Sequence, residues 1–200
     1  MLEAAGLQCI RQQRKLFSGL SLRLGAGESL RVAGANGSGK TSLLRILCGL
    51  LPPDTGEVRW KGERIRSLRE EYSRQIVYLG HAPAVKDELT PQENLAIASR
   101  LSGMEVPAEK MKSALARFQV PGTYVKRLSQ GQKRRAALAR LCLSETVPLW
   151  LLDEPFTALD AQGIGLLKEL IEAHTRRGGM VAYTTHQDPG IAASRVLELG

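Results

Sequence analysis

A chain of 200 residues with 43% apolar residues is long enough to build one α/β domain around a substantial core, so the composition excludes intrinsic disorder. Aromatic residues make up only 4% of the chain, which argues against recognition of nucleic acid by stacking on an exposed aromatic platform. The net charge of +8 leaves three explanations open: a polyanionic partner, an anionic membrane surface, or a nucleoside triphosphate site with otherwise ordinary solvated faces.

The sequence shows no segment typical of secretion or of membrane insertion. No stretch approaches the 18 consecutive apolar residues of a spanning helix, and the first residues lack the basic and apolar regions of a signal peptide. Cys9, Cys48 and Cys142 are odd in number, widely spaced and surrounded by apolar residues, as is typical of reduced core cysteines in the cytosol. If the protein works at a membrane, we expect another chain to supply the span.

Short strands joined by turns are predicted before residue 34. Residues 20–24 alternate apolar and polar side chains, as in a half-buried strand, and glycines follow them. Residues 29–33 are β-prone and form the next predicted strand. A helix is then predicted over residues 42–50, with Gly49 as its C-cap.

Between that strand and that helix, residues 34–41 match the phosphate-binding pattern G-x-x-x-x-G-K-[ST]. Glycines allow several backbone N–H groups to converge on phosphate oxygens, and the start of the helix adds its positive dipole end. Lys40 supplies a charge for the β- and γ-phosphates, and Thr41 offers a hydroxyl to Mg²⁺. The predicted nucleotide-binding residues of this segment are Gly34, Ala35, Asn36, Gly37, Ser38, Gly39, Lys40, Thr41 and Ser42.

The middle of the chain combines short strands with a helical region. Strands are predicted at residues 57–60 and 75–79, and the polar segment between them receives no predicted element. The helical region begins after Thr90, where a proline at the first helical position and Glu93 complete a capping box. It continues, with one break, to Phe118.

A continuous apolar run over residues 148–152 ends in two carboxylates, Asp153 and Glu154. The run is typical of a strand buried on both faces, and ligands of open α/β sheets bind at the carboxyl edge of such strands. After a further helix, residues 180–184 form another apolar strand, and His186 comes directly after it. The sequence therefore predicts acidic and imidazole groups at one edge of the sheet.

Three consecutive basic residues, Lys133, Arg134 and Arg135, open a helix predicted over residues 133–143 with Ser129 as its N-cap. A run of charges on a helix is usually a solvated face. We interpret the triplet in that way and assign it no catalytic role.

In their order along the chain, five motifs resemble those of an ABC-type ATP-binding domain. They are the Walker A loop (34–41), the signature segment (128–132), Walker B (149–154), the D-loop (158–160) and the switch histidine, His186. The resemblance implies a P-loop NTPase of the α/β class, with a mostly parallel core sheet flanked by helices and an antiparallel β subdomain. It also implies one domain over residues 1–200, with a helical subdomain inserted at about 88–145.

The same resemblance implies ATP and Mg²⁺ as ligands and assigns catalytic and metal-binding roles. Asp153, together with Thr41, is expected to hold the metal ion or its waters. Glu154 is expected to polarise a water for attack on the γ-phosphate, and His186 to contact that phosphate.

The signature segment implies a second copy of the chain. In the family, the signature of one domain closes over the ATP that the Walker A loop of another domain holds, with a helix N-terminus directed at the γ-phosphate. Ser129, Gly131 and Gln132 are the residues expected to make this contact. We therefore expect an ATP-sandwich homodimer.

Three positions depart from the general family pattern. Gln130 replaces the usual second signature glycine. Arg11 stands where an aromatic residue commonly stacks on adenine, so either the Arg11 guanidinium or Phe17 could contact the base. His81 occupies the Q-loop position in place of glutamine, and we assign it to nucleotide and metal contact.

Several segments resemble more narrowly the ATP-binding subunits of cytochrome c maturation, which are described as haem exporters: residues 78–81, 89–90, 93–95 and 149–160. This implies a peripheral protein on the cytoplasmic face of a bacterial inner membrane, paired with separate integral membrane subunits. ATP hydrolysis could drive haem movement itself or the release of a haem-loaded carrier protein. An ABC ATPase for another substrate, and a soluble ABC protein that acts on nucleic acid, remain as alternatives, although we expect no nucleic-acid partner.

Overall fold

The computed structural model describes residues 1–186, 190–191, 193 and 195–200. In chain order its strands are β1 (Leu2–Arg11), β2 (Arg14–Leu24), β3 (Ser29–Gly34), β4 (Thr55–Trp60), β5 (Glu63–Arg64), β6 (Ile76–Leu79), β7 (Leu149–Leu152), β8 (Met180–Thr184) and β9 (Arg195–Leu199). Its helices are α1 (Lys40–Leu47), α2 (Ile65–Arg74), α3 (Pro91–Leu101), α4 (Ala108–Arg117), α5 (Gln130–Leu138) and α6 (Ala161–Arg176), with 3₁₀ turns at Val125–Arg127 and Ala139–Leu143.

The strands form two sheets. Four of them make an antiparallel sheet in the order β2-β1-β4-β5, and five make a parallel sheet in the order β6-β7-β8-β3-β9. The parallel core with helices beside an antiparallel sheet is the fold class that the sequence predicted. Because β6, β7, β8 and β3 run in one direction, the loops that follow them lie at one edge of the sheet.

Two apolar clusters fill the space on the two faces of the parallel sheet. Leu149 and Leu151 of β7 pack into the cluster shared with α1 and the antiparallel sheet, whereas Trp150 and Leu152 pack into the cluster shared with α3, α4 and α6. All four side chains have no exposed surface. The predicted strand buried on both faces is confirmed.

The predicted short strands at the start of the chain are in fact a long hairpin. β1 has 10 residues and β2 has 11, and they are joined at Gln12 and Gln13, whose φ angles are 50° and 62°. A two-residue turn of this kind needs positive φ at both central residues and is normally encoded by Asn-Gly or Asp-Gly. A Gln-Gln pair gives no such signal, so the sequence did not indicate the turn.

Helix boundaries also differ from the predictions. α1 begins at Lys40, inside the glycine-rich segment, and ends at Leu47, which leaves Leu50 outside it and 67% exposed. α5 begins at Gln130, three residues before the predicted start. The polar segment without a predicted element is α2, an amphipathic helix whose Tyr72 hydroxyl donates a hydrogen bond to the Leu47 carbonyl at 2.6 Å.

A buried histidine stabilises the contact between α6 and β7. The His174 ring stacks on Trp150, with centroids 3.8 Å apart and planes 6° from parallel. Burial, together with the positive charge of Arg177, lowers the pKa of His174 to about 4. A Cβ at Gly179 would lie 2.2 Å from the Nε2 atom of His174, so a glycine is needed beside the ring.

Within the described residues, no helix combines the length and the apolar character needed to cross a membrane.

Candidate nucleotide-binding and hydrolysis site

Three loops at the carboxyl edge of the parallel sheet carry most of the predicted site residues. The glycine-rich segment follows β3, Asp153 and Glu154 follow β7, and Thr185 and His186 follow β8. Since β7 and β8 are hydrogen-bonded neighbours and β8 pairs with β3, the order β7-β8-β3 brings the three loops together.

The glycine-rich segment is a tight loop that ends in α1. Gly34 has φ +141°, and a Cβ there would lie 2.2 Å from the Leu199 carbonyl oxygen and 2.8 Å from the Ser38 Oγ atom. Lys40 is only 6% exposed, and its ammonium donates hydrogen bonds to the carbonyls of Gly34 at 2.8 Å and Ala35 at 3.0 Å. The loop therefore places a buried cation and the first amides of a helix beside an exposed rim, formed by residues 35–37.

Asp153 is fully buried, and one of its two carboxylate oxygens has hydrogen-bond partners. The Oδ1 atom accepts from the Thr41 hydroxyl at 3.1 Å and from the Thr184 hydroxyl at 2.8 Å. The Oδ2 atom has none among the described residues. A buried carboxylate oxygen without a donor is costly unless a cation meets it, so Asp153 and Thr41 fit a site for Mg²⁺.

Glu154 lies beside the predicted switch histidine. Its Oε1 atom is 3.1 Å from the His186 Nε2 atom, with Glu154 only 7% exposed and the His186 side chain about half exposed. The backbone of Glu154 adopts φ +49°, a left-handed conformation that is uncommon for a residue with a side chain. Its N–H donates to the Thr184 hydroxyl at 2.8 Å.

Thr184 is a site residue that the sequence analysis passed over. Its one hydroxyl donates to Asp153 and accepts from the Glu154 N–H, so it fixes both acidic residues relative to β8. The available signal was a hydroxyl side chain at the last position of a strand that is otherwise apolar and wholly buried.

The segment at the start of α5 forms a complete capping box. The Ser129 hydroxyl oxygen accepts from the Gln132 N–H at 3.2 Å, and Gln132 Oε1 accepts from the Ser129 N–H at 2.9 Å. The Ser129 hydroxyl keeps its own proton to donate. A Cβ at Gly131 would lie 2.8 Å from the Ala158 carbonyl oxygen, which explains the glycine there.

The basic triplet at the start of α5 is not a solvated face, and that interpretation was wrong. Lys133 Nζ lies 2.7 Å from Asp87, and Arg135 forms an ion pair with Asp160. Arg134 is only 4% exposed. The error arose because helical spacing shows which residues share a face, whereas the acceptors for these side chains come from loops distant in sequence.

Comparison with known proteins identifies the family. A profile described as "ABC transporter" matches residues 17–157. The chain belongs to the ABC transporter family. It is 50% identical over 202 residues to the cytochrome c biogenesis ATP-binding export protein CcmA of Dechloromonas aromatica, covering 100% of this chain and 98% of the relative. Identity to the protein of the same description from Methylococcus capsulatus is 52% over 186 residues, or 92% of this chain and 89% of the relative.

Solved structures agree with this placement. An ATP-binding subunit of an ABC transporter superimposes with a TM-score of 0.82 at 26% identity, over 93% of this chain and 79% of that one. A dimeric ATP-binding cassette in a post-hydrolysis state, bound to ADP and Pi, has the same fold, with a TM-score of 0.84 at 23% identity over 100% of this chain and 94% of that one. This chain is an ABC ATPase and an ATP hydrolase, and it groups with the ATP-binding proteins of cytochrome c biogenesis.

The two candidates for adenine contact, Arg11 and Phe17, both lie on strands of the antiparallel sheet. Arg11 is partly exposed and donates to the Ile10 carbonyl at 2.6 Å, and its guanidinium lies 3.7 Å from the Asp54 carboxylate. Phe17 is close to the Walker A loop, since a Cβ at Gly39 would lie 3.1 Å from the Cδ1 atom of Phe17. Contact of Arg11 or Phe17 with adenine stays a prediction.

His81 follows β6 with its side chain exposed to solvent. Its backbone carbonyl accepts a hydrogen bond from Arg134 at 3.2 Å. The part of the chain that the structure describes contains no group of three or more His, Cys, Asp or Glu side chains that could hold a metal ion. Metal or nucleotide contact by His81 stays a prediction.

Proposed function

We propose that this ABC ATPase uses Glu154 and His186 to hydrolyse Mg·ATP between two copies of the chain, and that this powers haem handling in c-type cytochrome biogenesis. The observation that carries the chemical part is the buried Asp153, whose Oδ2 atom has no partner among the described residues, next to the 3.1 Å contact between Glu154 and His186. The biological part is supported by identity of about 50% to cytochrome c biogenesis relatives.

Nucleotide binding starts at the Walker A loop. Lys40 bonds the loop carbonyls of Gly34 and Ala35, and we expect its ammonium to exchange these acceptors for β- and γ-phosphate oxygens. We expect the N–H groups at the first turn of α1, as far as Ser42, to bind the same phosphates, because the first N–H groups of a helix have no partner within it. No Asp or Glu lies in that first turn to repel them.

Thr41 and Asp153 would hold Mg²⁺, which when bound neutralises phosphate charge and orients the γ-phosphoryl group. The two side chains are already within 3.1 Å of each other. Thr184 fixes the Asp153 carboxylate by donating to Oδ1, which leaves Oδ2 free for the cation.

Glu154 is the proposed general base. Its carboxylate accepts a proton from the attacking water, the water oxygen bonds to the γ-phosphorus, and the bond from that phosphorus to the bridging oxygen of ADP breaks. His186, at 3.1 Å from Glu154, orients the carboxylate and can donate to the γ-phosphate. Glu154 and His186 follow neighbouring strands of the parallel sheet, β7 and β8, which places the two side chains side by side before the nucleotide binds.

A second copy would complete the site. The α5 N-terminus presents Ser129, Gly131 and Gln132, yet no hydrogen bond or ion pair of the described residues links them to the Walker A loop of the same chain. A helix N-terminus with a free hydroxyl donor is suited to a γ-phosphate. We propose that this phosphate belongs to the ATP held by the other copy, and that α3, α4 and α5 form the helical subdomain, at about residues 88–145 of one domain, that carries the signature.

Mixing two inactive variants tests the shared site. Lys40→Ala damages the Walker A half of both sites in a homodimer, and Ser129→Arg damages the signature half of both. A mixed dimer has one site with two intact halves, so an equimolar mixture should recover about a quarter of the wild-type rate if subunits exchange at random. A mixture as inactive as its components, with exchange demonstrated by cross-linking, would refute the shared site.

The haem assignment needs a test in cells. We propose a peripheral position on the cytoplasmic face of the inner membrane, bound to integral subunits of a cytochrome c maturation complex. Tagged protein extracted in detergent should bring those subunits with it. Replacing the chain by Glu154→Gln should abolish haem-stained c-type cytochromes while leaving the partners bound. Unchanged cytochromes, or recovery with salt-sensitive nucleic acid instead, would refute the assignment.

A further inference from the structure

The Arg134 side chain comes from α5 but lies at the carboxyl edge of the parallel sheet, beside Asp153 and Glu154. One terminal nitrogen, Nη1, donates to the carbonyls of Gly80 at 2.9 Å and His81 at 3.2 Å. The other, Nη2, donates to the carbonyls of Asp153 at 2.8 Å and Glu154 at 2.7 Å. A single side chain from α5 thus joins the backbone after β6 to the backbone after β7.

The burial of Arg134 indicates that its guanidinium is needed for hydrogen bonding and not merely for packing. Burial lowers the pKa of its guanidinium, and the charges of Asp153 and Glu154 oppose that shift. Burying an arginine is costly, and an apolar side chain of similar volume would pack α5 against the sheet as well. The planar fork of guanidinium, in contrast, can bind two pairs of carbonyls at once, and lysine cannot reproduce that geometry.

The backbone that Arg134 binds is strained at the residue proposed as general base. Glu154 has φ +49°, and such a conformation in a residue with a Cβ persists only when neighbours hold it. Two neighbours do so from opposite ends: Thr184 accepts from the Glu154 N–H, and Arg134 donates to the Glu154 carbonyl. The direction of the Glu154 side chain depends on this conformation.

We propose that Arg134 is a positioning residue for ATP hydrolysis, which fixes the Glu154 carboxylate through its backbone and couples it to the Gly80–His81 segment. The inference rests on the proposed role of Glu154 as general base. Because Arg134 acts through the backbone and is not expected to touch nucleotide or water, it should influence turnover and leave nucleotide affinity largely unchanged.

The neighbouring lysine provides a matched control. Lys133 precedes Arg134 on α5, carries the same charge and bonds Asp87 in the loop that begins at Gly80. It makes no hydrogen bond to Asp153 or Glu154 among the described residues. Lys133→Gln therefore removes one charge and one contact with that loop, and it leaves the backbone of Glu154 unaffected.

Steady-state kinetics of the purified full chain separate positioning from folding. Arg134→Gln and Arg134→Lys should lower kcat about tenfold or more, because small displacements of a catalytic group are costly, with KM for ATP within about twofold of wild type. Lys133→Gln should keep kcat. Wild-type kcat in both Arg134 variants would overturn the proposal. Failure of both to fold, measured by circular dichroism, would overturn it in favour of a structural role.

A double-mutant cycle tests whether Arg134 acts through Glu154. With Glu154→Gln already present, adding Arg134→Gln should leave the residual rate, followed with radiolabelled ATP, unchanged. An equal fold-loss in both backgrounds would show that Arg134 acts independently and would refute the proposal. If Glu154→Gln alone hydrolyses ATP at the wild-type rate, the general-base assignment fails instead, so the two failures are distinguishable.

Discussion

The Nε2 atom of His186 lies 3.1 Å from the Oε1 atom of Glu154, and this contact joins the ends of two neighbouring parallel strands. Glu154 is nearly buried whereas the His186 side chain is half exposed. A carboxylate shielded from water beside an accessible imidazole is suited to take a proton from a water that reaches it from the open side. We therefore predict that the γ-phosphate of ATP binds beside this pair.

Replacing the acid and the Walker lysine should separate chemistry from binding. Glu154→Gln keeps the shape and removes the base, so we expect kcat to fall about a hundredfold or more with ATP affinity retained. Lys40→Ala removes charge-assisted bonds to the phosphates, so we expect ATP affinity to fall at least about tenfold. Titration with fluorescent ATP and a phosphate-release assay check both. Wild-type turnover by Glu154→Gln would show that another group is the base.

The Thr184 hydroxyl should be needed for both stability and turnover, because it hydrogen-bonds Asp153 and Glu154 at once. Thr184→Val preserves the shape but leaves the Glu154 N–H without an acceptor and removes a donor from Asp153. We expect a stability loss of about 1–3 kcal/mol and a clear drop in kcat. Thr184→Ser, which keeps the hydroxyl, is the control and should behave like wild type. Equal kcat for the valine and serine variants would contradict this account.

Acid should weaken the fold through His174. Its pKa is about 4 when folded and about 6.5 when unfolded, so its contribution to stability is complete above pH 6.5 and is lost as the pH falls toward 4. Between pH 7.5 and pH 5.5 we expect a loss of about 1 kcal/mol. Urea unfolding of wild type and His174→Phe should show this loss only in wild type. Parallel pH dependences in the two proteins would exclude His174 as the cause.

Two glycine-to-alanine substitutions should have opposite effects on the free energy of unfolding. Gly179→Ala places a Cβ 2.2 Å from the His174 ring that stacks on Trp150, and we expect destabilisation of about 1–3 kcal/mol. Gly165→Ala lies inside α6 with no atom within 4 Å of the new Cβ, so we expect stabilisation of about 0.5–1 kcal/mol. Thermal unfolding measures both. A stabilised Gly179→Ala variant would mean that the ring is not fixed in this position.

Patterns confined to one segment predicted their elements well. The capping box at Thr90 and Glu93 is present at the start of α3, and the apolar run before Asp153 is a fully buried strand. Elements without a local signal were missed. β9 has no continuous apolar run, since Leu199 is its one buried residue. α2 contains so many charged residues that its buried Ile65 and Tyr72 gave no clear helical pattern.

The sequence by itself determined which chemical groups the site can draw on: the lysine, hydroxyl, carboxylate and imidazole side chains of Lys40, Thr41, Asp153, Glu154 and His186 stand in the motif order that predicts phosphate, metal and proton-transfer roles for them. Only the tertiary structure decided how those groups are held. Thr184 and Arg134 act through hydrogen bonds to residues that lie from 19 to 54 positions away in the chain. Such partners meet only when parallel strands bring their carboxyl ends to one edge of the sheet and α5 places Arg134 beside it, and no pattern within a single segment predicts this.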